Sequence, residues 1–261
     1  MSLPETTLLT ITCIGFAYAS IKLNLLTIGG VIASILTGLT LLYCGGISVL
    51  IPLIFFFLSG SLLSRILPPR HQSDNKSGKA RDAVQVFANG GVYTTIALIH
   101  YFYPHPSLPV LMAITLSTAT SDTWASDIGL GIPSATYNIS NFRLISPGVS
   151  GGISITGTLG GLAGALSIAL LYYYIINQNL LHTIYITAAG FTGMITDSLL
   201  GAKLQAKYYQ PQTGHWSDNS NPHYQHQSGF STITNDHINL ISQIILCTVA
   251  TLPLLIAKSL E

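Results

Sequence analysis

Charge is what this sequence has least of. Of its 261 residues, ten are Lys or Arg and nine are Asp or Glu, 7% in all, where a soluble globular domain carries about 25%. That scarcity excludes a disordered chain, a nucleic-acid binder with a basic face, and almost any water-soluble domain. Cysteine is sparse too. Cys13, Cys44 and Cys247 stand at unrelated spacings and form neither a metal motif nor a disulfide framework. They are expected to be small buried hydrophobes. The net charge of +1 says nothing about partners. The apolar fraction of 49% is ordinary, but it is arranged in charge-free runs of roughly 16 to 24 residues. An all-α, polytopic membrane helix bundle is therefore expected.

Eight segments compare with the ~20 residues that a helix needs to cross the hydrocarbon core. They are Thr6–Ile21, Leu25–Tyr43, Ile47–Ile66, Ala83–Tyr103, Leu108–Trp124, Ile153–Ile176, Leu180–Leu200 and Ile238–Ala257. If the short first segment is interfacial, seven remain. It has no basic stretch ahead of it and Glu5 precedes it, so it reads as a retained segment and not a cleaved signal. The whole chain, 1–261, reads as one membrane domain with polar loops over 67–82, 125–150 and 202–237. Lys22, Arg65, Arg70, Lys76, Lys79, Arg81, Arg143, Lys203 and Lys207 all fall on one side of the membrane, with Lys258 the exception. The positive-inside rule makes that side cytoplasmic and puts both termini opposite.

Carboxylates inside spans are costly and default to functional candidates. Asp82, Asp122, Asp127, Asp197 and Asp236 all lie at or near span ends on the positive side. A transporter would more naturally scatter polar groups along the depth of the bundle. Four polar stretches line that rim. In the first, bases through Lys79 and Arg81 give way to a helix carrying Asp82, Gln85 and Asn89 on one face, where interhelical hydrogen bonding is the plainer alternative. In the second, Asp122 and Asp127 stand among Ser and Thr. On a continuous helix they would point about 140° apart, so their convergence requires the helix to end or break between them. Oxygen ligands of this kind suit Mg²⁺; helix capping is the alternative, mainly for Asp127.

The third stretch is the Gly-rich turn from Gly148 through Ser150, Gly151 and Gly152 to Ser154. It opens a helix and so offers backbone N–H groups to an anion. Beyond it, Gly157, Gly160, Gly161 and Gly164 fit close helix packing. The fourth runs from Asp197 past Lys203 to Gln205 and repeats, in Thr196-Asp197-Ser198, the Ser121-Asp122-Thr123 device. The loop 206–236 carries His223-x-x-His226 without Cys or acidic company and is expected to be a soluble loop without zinc. Acids for a divalent cation, bases for phosphate and access to the bilayer together suggest Mg²⁺-dependent phosphoryl or nucleotidyl transfer onto a lipid phosphate.

Four collinear blocks carry a resemblance. They are Gly78 to Gly91, Thr120 to Gly129, Gly151–Ser154 with Gly157-Thr158-Leu159, and Asp197–Ala202 with Leu204-Gln205. Together they resemble the integral membrane family that includes the phytyl-phosphate kinase of tocopherol biosynthesis. The resemblance implies transfer of a phosphoryl group from a nucleoside triphosphate, CTP being the expected donor, to a prenyl monophosphate such as phytyl phosphate. The family commonly has Glu where Asp127 stands, and Gly-Thr-Asn-Gly-Gly where this chain has Gly148-Val149-Ser150-Gly151-Gly152.

On that footing, Asp122 and Asp197, with Asp127 or Asp82 assisting, would hold Mg²⁺ on the triphosphate. The turn from Gly148 to Ser154, with Lys79, Arg81 and Lys203, would cradle phosphates. Gln85, Asn89 and Gln205 would complete the nucleotide site. The prenyl tail would lie between spans 4 to 7, open to lipid. A cytidylyltransferase using the same parts and a cation-coupled transporter are the alternative readings; nucleic acid is not an expected partner.

Overall fold

The computed structural model describes residues 3–67 and 80–259. Seven helices dominate: α1 (Leu3–Lys22), α2 (Ile28–Ile66), α3 (Ala83–Phe102), α4 (Ser107–Gly131), α5 (Ile155–Ile175), α6 (Leu180–Leu204) and α7 (Asn235–Ser259). Three of these described helices, Ile28–Ile66, Ile155–Ile175 and α7 over Asn235–Leu254, are long and apolar enough by themselves to cross a membrane.

Eight expected segments become seven helices because α2 contains two. Gly46 interrupts it with φ 69° and ψ −160°, a backbone conformation that glycine adopts most cheaply. The interruption is a reversal. A Cβ on Gly38 would lie 3.7 Å from Leu50 Cδ1, although 12 residues of straight helix would separate them by about 18 Å. The far end of the hairpin returns to its start, where the Arg65 guanidinium donates to the Leu23 carbonyl. Beside it the chain ahead of α3 is stitched down, with Thr27 N–H donating to the Arg81 carbonyl at 3.0 Å and Arg81 N–H to the Leu25 carbonyl at 2.9 Å.

α4 is the axis of the bundle. Val110 to Ser121 are all buried, including Thr115, Ser117, Thr118, Thr120 and Ser121. Such a helix needs partners for its hydroxyls and room for close approach. α5 and α6 supply both. Ser121 Oγ donates to the Gly161 carbonyl at 2.8 Å and Ser117 Oγ to the Ala165 carbonyl at 3.2 Å. Gly157, Gly160, Gly161 and Gly164 of α5 lie directly against the α4 backbone, the packing role expected of them. Gly190 and Gly193 of α6 do the same against Ser117 and Thr118. Outside this core the surface is apolar: Ile28, Ile32, Leu36, Ile47, Leu58 and Leu62 are exposed. A water-soluble protein does not maintain so continuous an apolar face, whereas a lipid-facing one requires it.

Two connections are more ordered than loops. α4 runs on to Gly131, so the connection expected to begin at 125 begins after it. That connection folds back as a two-stranded antiparallel sheet of β1 (Tyr137–Asn138) and β2 (Gly152–Ile153). Between α6 and α7 lies a three-stranded antiparallel sheet in the order β4 (His215–Ser217), β3 (Lys207–Gln210), β5 (Gln225–Ser228). His226 takes a place in β5, and among the described residues no group of three or more His, Cys, Asp or Glu is placed to hold a metal ion.

The α4–α6 contact gives a direct test. Any Cβ on Gly190 runs into Ser117, whereas one on Gly15 meets nothing within 4 Å. Gly190→Val is expected to cost on the order of 1–3 kcal/mol or more from overpacking, read as a lower unfolding midpoint in detergent. Gly15→Ala is expected to leave that midpoint unchanged or slightly raised.

Candidate functional site

All four polar stretches meet at one end of the bundle around a cavity of about 310 Å³. Its wall includes Arg81, Gln85 and Asn89 from the start of α3, Asp122 and Asp127 from α4, Gly148 to Ser154 from the returning connection, and Asp197 and Gln205 from the end of α6. α7 closes it with Asn235, Asp236 and Asn239.

The carboxylates reach this cavity by a different geometry from the one expected. α4 does not break between Asp122 and Asp127; it continues to Gly131 with its backbone hydrogen bonds intact to Ile132. Both side chains still line the cavity, so the cavity covers some 140° of the helix circumference. Because Asp127 lies inside the helix, four residues from its end, the capping alternative does not apply. Asp122 is within electrostatic reach of both Asp127 and Asp197. Asp197 is held from α7, with Ser242 Oγ donating to its Oδ2 at 3.0 Å. The Asn239 amide, its nitrogen turned to the carboxylate, donates to the same oxygen at 3.1 Å. Gln243 Nε2 donates to the Ala88 carbonyl at 2.8 Å and ties α7 to α3.

Arg81 is the cation of the cavity. Its guanidinium carbon lies 5.4 and 5.7 Å from the ring centroids of Phe56 and Phe57, a cation–π setting that holds it without neutralising it. Burial pulls its pKa below the ordinary value, and the neighbouring Asp127 opposes that pull.

Several expected residues are engaged otherwise. Asp82 is the N-cap of α3. Its carboxylate accepts from Gln85 N–H at 2.9 Å, while the Gln85 Oε1 accepts from Asp82 N–H at 3.2 Å. This reciprocal capping box keeps Asp82 out of the cavity wall. Lys203 is exposed and outside the wall. Lys79 lies outside the described residues. Ser154 caps α5, its Oγ accepting from Gly157 N–H at 3.1 Å.

The Gly-rich turn already holds an anion of its own. Ser150 N–H donates to both carboxylate oxygens of Asp218, at 2.9 and 3.2 Å, and Gln205 Nε2 donates to Asp218 at 3.2 Å. Ser150 Oγ donates to Gln205 Oε1 at 2.8 Å. Gly151, at φ 82°, packs so tightly on Ala202 that no side chain fits there. The amide cradle is therefore a built anion site, with Asp218 as its resident.

Sequence reasoning passed over Asp218 as a polar-loop acid, because 68 residues separate it from Ser150 and no local spacing announces the contact. It also passed over Lys207, whose buried Nζ donates to the Gly201 and Ala202 carbonyls at the end of α6, at 3.1 and 2.5 Å. Asn235, Asn239, Ser242 and Gln243 did carry a signal: at helical spacing they extend one polar stripe beyond the polar first turn into a largely apolar helix.

Comparison with known proteins covers most of the chain. The profile of integral membrane protein DUF92 matches residues 11–247. An uncharacterized membrane protein of Methanocaldococcus jannaschii is 30% identical over 216 residues, 83% of this chain and 80% of that protein. An uncharacterized membrane protein of Synechocystis is 30% identical over 166 residues, 61% of this chain and 64% of that protein. Protein PGR of Arabidopsis thaliana is 23% identical over 254 residues, 87% and 88% of the two chains. No solved structure matches.

Asp218 yields a pH signature. Desolvation raises its carboxyl from 3.8 to about 6, against the Ser150 N–H and Lys207, which lower it. A carboxyl that binds its proton more tightly in the folded state favours folding fully below its unfolded value, and that contribution is lost as pH rises through about 6. The unfolding midpoint of the wild type, scanned between pH 4 and 7, is expected to carry a downward component through this window. Asp218→Asn is expected to remove it.

Proposed function

The chain belongs to the integral membrane family DUF92, and within that family we propose that it is a phosphotransferase. It moves the γ-phosphoryl group of a nucleoside triphosphate, CTP in the first instance, onto a prenyl monophosphate such as phytyl phosphate, giving the prenyl diphosphate. The observation that carries this reading is the meeting of Asp122, Asp127 and Asp197 with Arg81 and the Gly-rich turn around one cavity at the end of a membrane bundle. The resemblance of the four blocks to the phytyl-phosphate kinase family narrows the acceptor. The bases gathered on this side make it the cytoplasmic face, with both termini opposite.

The donor set fits Mg²⁺. Two neighbouring carboxylates, Asp122 and Asp197, with Asp127 beyond Asp122, offer hard oxygen ligands and no closed cage of three. Mg²⁺ is typically taken by one or two carboxylates together with water and phosphate oxygens. Bound there, it would neutralise charge on the triphosphate and align it. Ser242 and Asn239 fix the Asp197 carboxylate so that it needs no reorganisation on binding. Arg81, already desolvated and pinned by two rings, meets the charge that develops on the transferring group. A phosphate oxygen of the acceptor attacks the γ-phosphorus as the bond to the β–γ bridging oxygen breaks, and the nucleoside diphosphate leaves. The acceptor is already anionic, so no general base is required. For a phosphate to enter the Gly-rich turn, the Asp218 carboxylate has to yield its place on Ser150 N–H.

Purified protein is to be incubated with a panel of prenyl monophosphates and the four triphosphates, and the products read by mass. CDP with prenyl diphosphate is the expected result. Pyrophosphate with a CDP-linked lipid would instead make the protein a cytidylyltransferase. Asp122→Asn and Asp197→Asn are each expected to lower turnover by about 100-fold or more at saturating Mg²⁺, since charge placed for a transition state contributes on that order. Near-normal turnover in both variants would sink the assignment.

A further inference from the structure

A second cavity, of about 340 Å³, lies beside the polar one. Its wall is Tyr137, Phe142, Ile153, Ser154, Ile155, Thr158 and Leu159, almost wholly apolar, and it shares Ile153, Ser154 and Thr158 with the polar cavity. We infer that this groove holds the hydrocarbon chain of a single-chain lipid phosphate whose phosphate lies in the polar cavity. This rests on the transfer reading above and differs from the expectation that the tail lies between spans 4 to 7. The tail lies on the outer face of α5, under the returning connection, and not between the spans.

Three independent features select a lipid chain as the occupant. The first is continuity with the polar cavity. Thr158 and Ser154 stand on the boundary, so a molecule with an anionic head and an apolar tail is accommodated by both cavities at once, as neither a free phosphate nor a neutral lipid would be.

The second feature is where the groove leads. Ile155, Leu159, Leu162, Leu166 and Leu170 recur at spacings of four, three, four and four residues, one stripe of α5. Their exposures run 76%, 61%, 42%, 42% and 40%. This stripe covers about 22 Å of helix, most of the ~30 Å hydrocarbon layer. The small Ala163 is exposed beside it. A chain leaving the groove has an uninterrupted apolar track into the bilayer.

The third is the depth of the mouth. The tip of the β1–β2 connection is folded by its own polar side chains: Asn138 Oδ1 accepts from Ser140 N–H at 2.8 Å and Asn141 Oδ1 from Arg143 N–H at 3.0 Å. These caps hold Phe142 in the left-handed region at φ 54°. Phe142 and Leu144 are left 72% and 69% exposed, with Arg143 between them. Two large apolar side chains flanking one cation suit the boundary between headgroups and hydrocarbon. There Phe142 roofs the groove from the water side.

The test uses full-length protein in nanodiscs of phosphatidylcholine and phosphatidylglycerol. The probe is geranylgeranyl monophosphate with a diazirine at its terminal isoprene unit, and labelled residues are located by peptide mass spectrometry. Labelling is expected between residues 137 and 170, on the α5 stripe and the groove wall. Thr158→Trp, which places an indole at the boundary of the groove, is expected to reduce it at least fivefold while keeping the wild-type unfolding midpoint. Should that variant fail to fold, the surface variant Phe142→Ser carries the same expectation. Labelling spread evenly over the lipid-facing helices, or concentrated between α3, α4 and α6, overturns the proposal. So does equal labelling by the corresponding prenol lacking the phosphate. The readout needs no turnover. Labelled groove residues without nucleoside diphosphate formation would overturn the transfer reading and leave the groove standing; the converse would overturn the groove alone.

Discussion

The closeness of α4 to α5 and α6 is the constraint on which the rest of the molecule depends. In a bilayer, helices are not pushed together by water, so packing and hydrogen bonds must hold them. Here the missing Cβ atoms of Gly157, Gly160, Gly161, Gly164, Gly190 and Gly193 let two helices reach the backbone and hydroxyls of a third. Ser117 and Ser121 then donate across the contacts. The same closeness puts Asp122 of α4 within electrostatic reach of Asp197 of α6, 75 positions away in the chain. A looser α4–α6 contact would leave two isolated intramembrane carboxylates, each costly, in place of one shared site.

Charge is used in two distinct ways at that site. Inside the bundle end, Asp197 is held by a hydroxyl and an amide from α7 and lies within electrostatic reach of Asp122. Just beyond it, Asp218 and Lys207 balance one another, the first on the Gly-rich turn and the second on the last carbonyls of α6. The inner set draws its partners from α7, whereas the outer set ties the Gly-rich turn and the end of α6 together. Arg81 stands beside Asp127, positioned by aromatic faces and by the backbone bonds that join its strand-like stretch to Leu25 and Thr27.

The bundle itself was legible in the sequence because hydrocarbon imposes a simple rule: long apolar runs, with charge pushed to the ends. Cys44-Gly45-Gly46 even marked the reversal inside α2. The length of α4 was not legible. Thr120 to Ser126 is polar enough to look like the end of a span, and only the α5 glycines facing it explain why it stays helical and packed. Asp82, Gln85 and Asn89 do share a helical face, but local capping claims Asp82, a competition that spacing alone does not decide. Lys207 lies in β3 and Asp218 directly after β4, in a sheet whose strands are short, polar and without clear alternation, so their place beside the Gly-rich turn comes only from tertiary pairing.

That sheet has a mechanical consequence. β3, β4 and β5 join the last turn of α6 to the first turn of α7, with Phe230 N–H donating to the Leu204 carbonyl at 2.9 Å and Gln205 bridged to Phe230. The two helix ends that carry Asp197 and Asn239 are thus spaced by hydrogen bonds formed outside the hydrocarbon. Thinning or thickening the bilayer tilts helices and slides them against lipid. In this molecule any such adjustment that separates these two ends has to break the ties between Leu204, Gln205 and Phe230, so the polar cavity sits where α6 and α7 are least free to slide apart.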